Sequence, residues 1–428
     1  MNHSDTIVIG AGAAGLTAAI FAAAGGKSVV LLERTPQAGR KILMSGGTRC
    51  NVLPVRASID DFVTDSSRNR LRNIFKSWSV DRCRRWFEDE IGLELECEAS
   101  SNKWFPKSNS ARDVRDRLLR HAESIGVRVC YRASVASMQR QNQLWTIKTT
   151  NGEQFQAPVV IMAAGGKSIP STGTDGTGYT IAEALGHTLI PPYPALTPLT
   201  GPHPGSAAKT STKRDKRARS RPANDSAHSL AGVSLDVQLD AWNPKHQPFK
   251  TSRSGFLFTH QGYSGPSVLD LSHVVVKALQ AGSPGDDDAS LRVNWTGKSA
   301  GWWQSQLEGN LETTALLRRH LPRRLADNLL ADIGLAGRKT AELSGKDRNR
   351  LVGSLTSCRL TPTGHSGFEK AEVTGGGVSL DDINPATMES RIAPGLYLCG
   401  EILDVFGRIG GFNFYWAWVT GRLAGMNQ

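Results

Sequence analysis

The chain has 428 residues, 39% hydrophobic and 21% charged, an ordinary globular composition in a length too great for one hydrophobic core. No stretch is apolar for long enough to cross a bilayer, and no secretory leader is recognisable at the start. The six cysteines (Cys50, Cys83, Cys97, Cys130, Cys358, Cys399) form no CxxC pair, which argues against a zinc or redox-pair motif; a reducing, cytoplasmic location is expected, with no metal site and no membrane association. The formal net charge is +12, and half of it lies in Gly205–Arg221, where seven Lys or Arg face one Asp. Such an excess suits a polyanionic partner.

In chain order, residues 6–9 are a short apolar run ending in glycine, 13–26 read as an Ala-rich helix closed by Gly25 and Gly26, and 27–34 as a second buried strand. Together they make one right-handed βαβ unit. A helical pattern spans 68–91, with Leu71, Ile74, Phe75, Trp78, Trp86 and Phe87 as its apolar stripe, and another spans 110–125. Residues 127–140 and 144–150 read as strands of a small sheet, and 157–166 as an apolar strand running into a Gly-Gly turn. Residues 201–230 have almost no large apolar side chains and read as a mobile loop. Strand alternation resumes at 232–242, residues 302–352 are helical, and Gly-rich turns between apolar strands lead to a last helix from about Phe414. The fold class is α/β: a split Rossmann-type domain in two pieces, 1–190 and 366–428. Between them lies an inserted domain, 191–365, with strands at about 191–300 and helices at about 301–355.

The run Gly10-Ala-Gly-Ala-Ala-Gly15 is GxGxxG between a strand and a helix. Gly10 permits the tight turn, Gly12 the approach of a pyrophosphate, and Gly15 close helix packing, while Ala13 and Ala14 open the helix whose N–H groups face the phosphates. Glu33 ends the second strand, placed to accept from ribose hydroxyls, with Arg34 beside it. Three later elements favour FAD over NAD. Val159–Gly166, with Ala164 and Gly165, resembles the strand that returns beneath the flavin nucleotide in two-dinucleotide-fold flavoproteins. Gly395–Asp404 resembles their late strand, with Gly400 and Glu401 at the ribityl chain. Gly410-Gly411-Phe412-Asn413 opens the last helix, whose N–H groups are suited to negative charge on the pyrimidine end of a reduced flavin.

Seven stretches carry a resemblance to the bacterial BaiN/RdsA flavoproteins, once labelled aminoacetone-oxidase-like. They are GAGAAGLTAAI, GRKILMSGGTRCNV, WFPKSNSARDV, AAGGKSIPSTGTDGTGY, GFLFTHQGYSGPSVL, FEKAEVTGGGVSLDDINPATMES and PGLYLCGEILDVFGRIGGFNFYWAWVTG. The resemblance implies FAD in the split domain, a covering inserted domain, NAD(P)H as transient electron donor, and reduction of a conjugated double bond. The implied substrate is either a uridine of large-subunit ribosomal RNA, reduced to dihydrouridine, or a small-molecule enone or amine, reduced or oxidised. The chain departs from the family pattern at Thr48, where the family has glycine, and at Phe406, where it has a second acidic residue; Phe406 also leaves room for an RNA-binding flavoprotein without turnover.

Within that frame, Gly39, Arg40 and Lys41 are expected at cofactor or substrate phosphates, and Ser45, Gly46, Gly47 and Asn51 where backbone passes the flavin. Val135 completes the expected cofactor set. Cys50 is the expected general acid, with Arg49 stabilising its thiolate. Arg49, His260, Tyr263, Phe406 and Arg408 are substrate candidates, and Ser264 shares the His260 loop. Ribosomal RNA is the expected polyanion, met through the basic run 209–221, Arg68, Arg70 and Arg72, and the arginines of 318–324.

Overall fold

A computed structural model describes residues 2–205, 230–242, 247–282 and 290–428; the basic run 209–221 lies outside the described residues. The chain divides into two compact units, Met1–Pro194 with Ala371–Gln428, and Ala195–Lys370.

The first unit is built on a five-stranded parallel sheet, ordered Leu396–Leu398, Val159–Met162, Thr6–Ile9, Val29–Glu33, Arg128–Tyr131. Its central strand, Thr6–Ile9, is buried on both faces, as the apolar run of a parallel sheet must be. A second sheet joins Asn2–His3, Gln154–Ala157, Leu144–Thr149 and Val135–Gln141. The helix Ala13–Ala24 and the last helix, Phe412–Met426, meet at two glycines one turn apart. An added Cβ on Gly421 would lie 2.4 Å from the Ala14 carbonyl oxygen, and one on Gly425 2.4 Å from that of Ala18. Both contacts advance in the same direction, so the helices run parallel in near backbone contact, which locks the C-terminal piece to the N-terminal piece. Trp416 adds a hydrogen bond from its indole nitrogen to the Gly400 carbonyl (3.0 Å).

The second unit carries a seven-stranded antiparallel sheet, ordered Cys358–Leu360, Ser290–Asn294, Ser234–Trp242, Pro248–Phe258, Gly262–Ser264, Leu199–Thr200, Gly364–His365. Phe256, Phe258, Tyr263 and Trp295 form its aromatic core, with Phe258 and Trp295 stacked at 5.7 Å.

Three expectations need correction. The helical pattern 68–91 is two helices, Arg68–Lys76 and Val80–Asp89, because the Ser79 hydroxyl accepts from the Arg82 N–H and caps the second. The helix Pro266–Gln280 lies among the expected strands of 191–300; Pro266 opens it, and its buried valines Val274–Val276 suit strand or helix alike. Residues 302–352 are broken into Ala300–Gln306, Thr313–Leu317, Arg323–Ile333 and Gly345–Thr356.

Candidate active site

The turn between Thr6–Ile9 and Ala13–Ala24 is tight on two sides and open on the third. A Cβ on Gly10 would lie 2.5 Å from the Ala163 carbonyl oxygen and one on Gly15 1.8 Å from that of Gly10, while one on Gly12 would meet nothing within 4 Å. No side chain caps the helix and its first turn holds no acidic residue, so the N–H groups of Ala13, Ala14 and Gly15 are left without an intrahelical acceptor at the positive end of the helix dipole. Glu33 braces the turn: its carboxylate accepts from the Ala11 N–H (3.0 Å) and the Thr35 N–H (2.8 Å). Arg34 pairs with Asp175 at 2.6 Å, and the Gly39 N–H donates to the Ala11 carbonyl (2.9 Å), drawing Arg40–Met44 to the same turn. Val135 is nearly buried at the start of its strand.

Lys41 and Glu401, far apart in sequence, form an ion pair at 2.6 Å with both side chains mostly buried. Ser168 bonds to both, accepting from Lys41 Nζ and donating to Glu401 Oε1, each at 2.7 Å. The Thr374 N–H donates to Glu401 Oε1 (2.9 Å), and the Thr374 hydroxyl accepts from the N–H groups of Lys167 (2.7 Å) and Ser168 (3.0 Å). Gly166 has to be glycine here, since a Cβ would lie 2.3 Å from Thr374 Oγ1. Sequence reasoning found Lys41 and Glu401 but missed Ser168 and Thr374, although both stand beside glycine runs, Gly165-Gly166 and Gly375–Gly377.

The segment Ser45–Asn51 folds inward. Gly46 (φ 56°), Gly47 (φ 65°), Thr48 (φ 71°) and Cys50 (φ 64°) are all left-handed. The expected role of Cys50 is corrected by this geometry: its side chain has no exposed surface and sits in the hydrophobic core. Burial pushes its thiol up to about 12, with a Ser45 hydrogen bond working weakly the other way. Arg49 does not attend it; the guanidinium lies 4.0 Å over Phe105 and pairs with Glu98 at 3.0 Å. The Asn51 side-chain oxygen is buried with no hydrogen-bond partner.

Gly410 (φ 118°) and Gly411 (φ 90°) open the last helix, and a Cβ on Gly411 would lie 2.7 Å from the Leu53 carbonyl carbon, so this loop lies directly on 51–54. Asn413 ties the loop together, its amide accepting from the Gly407 N–H (2.8 Å) and donating to the Gly407 carbonyl (2.9 Å). Phe412 and Phe406 are buried, and Phe406 faces Tyr193 rather than an open surface. Arg408, half exposed, pairs with Asp61 at 2.8 Å and covers the Phe412 ring. Asp404, missed in the sequence, is buried with Oδ2 accepting from Thr64 and Ser66 hydroxyls and the Asp65 and Ser66 N–H groups; burial raises its pKa.

In the second unit, His260 is exposed on the turn before Gly262–Ser264, and Ser264 ends that strand. Tyr263, expected at substrate, is instead in the aromatic core with its hydroxyl donating to the Pro202 carbonyl. Among the expected basic contacts, Arg68, Arg70 and Arg318 are paired with Asp60, Asp381 and Asp327. Among the described residues no cluster suited to a metal is found, and no helix is long and apolar enough to cross a membrane.

A split Rossmann-type domain whose glycine turn is braced by Glu33, with a second polar cluster at Lys41 and Glu401, defines an oxidoreductase built on a dinucleotide-binding fold. The chain belongs to the HI0933-like family: the HI0933-like protein Rossmann domain matches residues 4–427. It is 31% identical to the ribosomal RNA dihydrouridine synthase of Escherichia coli, covering 98% of this chain and 96% of that one. It is also 30% identical to the 3-dehydro-bile acid delta(4,6)-reductase of Clostridium scindens, covering 98% and 97%. Among solved structures, the 3-ketosteroid-delta4-(5alpha)-dehydrogenase of Rhodococcus jostii aligns over 100% of this chain and 97% of that one, with a TM-score of 0.49 at 14% identity.

Proposed function

We propose that the chain is an FAD-dependent reductase that converts uridine to dihydrouridine in ribosomal RNA, with NAD(P)H as electron donor. The observation that carries this reading is the likeness to the E. coli ribosomal RNA dihydrouridine synthase, which spans 98% of the chain and so takes in both pieces of the split domain and the unit between them. The overall balance is uridine, NAD(P)H and one proton giving dihydrouridine and NAD(P)+.

Three features of the first unit fit FAD: the open side of Gly12 before an uncapped helix, Glu33 at its strand end, and the Asn51 oxygen buried without a partner. The N–H groups of Ala13, Ala14 and Gly15 would meet the pyrophosphate, Glu33 the adenosine ribose, and Glu401 the ribityl chain, oriented by Lys41, Ser168 and Thr374. Bound there, the flavin supplies hydride to a carbon–carbon double bond conjugated to a carbonyl. The neutral, enclosed thiol of Cys50 has no part in this proposal as a proton donor.

The decisive test is a dihydrouridine map of large-subunit ribosomal RNA from a strain lacking the gene. One modification should disappear, and an unchanged map would sink the reading. Flavin bleaching by NADH and by NADPH identifies the donor, and no bleaching by either would favour a flavoprotein without turnover. The 30% identity to a bile-acid reductase supports a second reading, reduction of a small enone. It predicts NADPH oxidation driven by a steroid enone together with an unchanged RNA map.

A further inference from the structure

Three aromatic rings of the first unit, Phe21, Trp78 and Trp86, make one cluster: Phe21 stacks on Trp86 at 5.3 Å, and Trp78 meets them edge-on at 5.7 and 5.6 Å. The Arg422 guanidinium, from the last helix, lies over this cluster, 5.2 Å from the Trp78 ring centre and 5.6 Å from that of Phe21. Arg82 stands one helical turn before Trp86 on Val80–Asp89, so the two share a helix face. It is also next to Cys83, on which Arg422 acts electrostatically.

Other arginines of that helix are neutralised. Arg84 is held by Asp81 and Glu88, and Arg85 by Asp81. Among the described residues neither Arg82 nor Arg422 has a carboxylate within ion-pair distance. Burial, and then Arg82, disfavour the charged form of Arg422. Exposed Lys76, two residues before Trp78, likewise has no carboxylate partner among the described residues. Arg82, on the helix face of Trp86, and Arg422, over the Trp78 and Phe21 rings, repel each other, and an anion held by both offsets that cost. Guanidinium forks match a phosphate's oxygens, and a partly exposed ring such as Trp86 tolerates the flat bases that accompany a nucleic-acid backbone.

We propose that Arg82 and Arg422 form a phosphate-binding contact for the RNA backbone. This rests on the RNA reading given above. The contact supplies affinity and orientation without reading sequence.

The test is the salt dependence of binding of an unmodified ribosomal RNA fragment to the full-length flavoprotein. Each phosphate contact contributes about 0.7–0.9 to the slope of log K against log salt. Replacing both arginines, R82Q/R422Q, removes that one phosphate contact and should flatten the slope by about 0.7–0.9, and R82Q alone by about half as much. The lysine pair R82K/R422K should keep most of the slope. A wild-type slope in the double glutamine variant overturns the proposal. Should R422Q loosen the aromatic packing, R82Q still decides, because Arg82 is exposed. Inorganic phosphate separates the sources: if it raises the melting temperature of the wild type but not of R82Q/R422Q while the RNA slope is unchanged, the site serves free phosphate and the RNA proposal fails. An unchanged dihydrouridine map sinks the functional reading and leaves this contact to the salt slope. An unchanged slope sinks the contact and leaves the functional reading standing.

Discussion

The two glycine-rich turns of the first unit, Gly10–Gly15 and Ser45–Cys50, look alike in sequence and act oppositely in structure. At the first, two glycines are jammed against backbone and the third, Gly12, faces nothing within 4 Å. The result is a rigid turn that leaves the first N–H groups of the helix without an intrahelical acceptor. At the second, the left-handed residues roll the chain in on itself. The Arg49 N–H donates to the Gly46 carbonyl (3.3 Å), the Cys50 N–H to the Ser45 carbonyl (3.1 Å), and the thiol ends in the core. Glycine richness thus marks a site of ligand approach in one place and a backbone reversal in the other.

The sharpest way to break this contrast is at the first turn. Gly15→Ala should destabilise the protein by about 3 kcal/mol, read from urea unfolding, because its Cβ would lie 1.8 Å from the Gly10 carbonyl oxygen, which is backbone and not a flexible side chain. Gly12→Ala should cost less than about 1 kcal/mol, the difference between glycine and alanine at a helix cap, yet lose bound flavin. A Gly12→Ala protein that keeps its flavin would show that the open side of the turn is not where the cofactor lies.

Lys41 joins the second turn to the polar cluster. Lys41→Met strands the Glu401 carboxylate with only Ser168 and Thr374, and with both partners mostly buried this should cost about 2 kcal/mol. Adding Glu401→Gln should recover much of it, since the stranded charge is gone. Additive losses in the double variant would mean that the pair is not coupled.

Cys50 tests the inward half of the turn. Cys50→Ala should cost about 1 kcal/mol as a small cavity and leave turnover intact. Burial holds the thiol at about 12 against an ordinary 9.0, so the folded state binds this proton more tightly than the unfolded chain. That contribution is full below pH 9.0 and is lost as the pH rises toward about 12, so the stability gap between wild type and Cys50→Ala should close and then reverse across that window. A turnover loss in Cys50→Ala with normal flavin content would restore the thiol as a proton donor.

The sequence made the βαβ unit legible because strand, GxGxxG and helix are contiguous and each obeys its own periodicity. Lys41 and Glu401 were legible as separate residues of the cofactor frame, but not as a pair, because the contact depends on which strands the parallel sheet makes neighbours. Cys50 was misread for a local reason. Its direction is set by four left-handed residues, two of which, Thr48 and Cys50, carry side chains that disfavour that conformation, and propensity gives no signal for them. Tyr263 and the helix Pro266–Gln280 were lost to ambiguity: apolar runs rich in valine and aromatics suit a strand, a buried helix or a substrate pocket until packing decides.

The smallest expected effect distinguishes strain from function in the second turn. Thr48 is exposed and β-branched, and holds φ at 71°. A left-handed conformation costs an L-residue about 1–2 kcal/mol, whereas glycine adopts it freely at an unfolded-state entropy penalty of about 0.5–1 kcal/mol. Thr48→Gly should therefore stabilise the protein by about 0.5–1 kcal/mol, raising the urea midpoint without changing the slope of the transition. No buried contact is lost with the side chain, so any accompanying fall in turnover or flavin affinity would come from the threonine's hold on the Gly46–Cys50 backbone or from its exposed hydroxyl. Thr48→Ala, which removes the hydroxyl but keeps a Cβ at the same φ, separates the two. If glycine lowers turnover and alanine does not, the strained backbone is what positions the site. If both lower it equally, the hydroxyl is the group that acts.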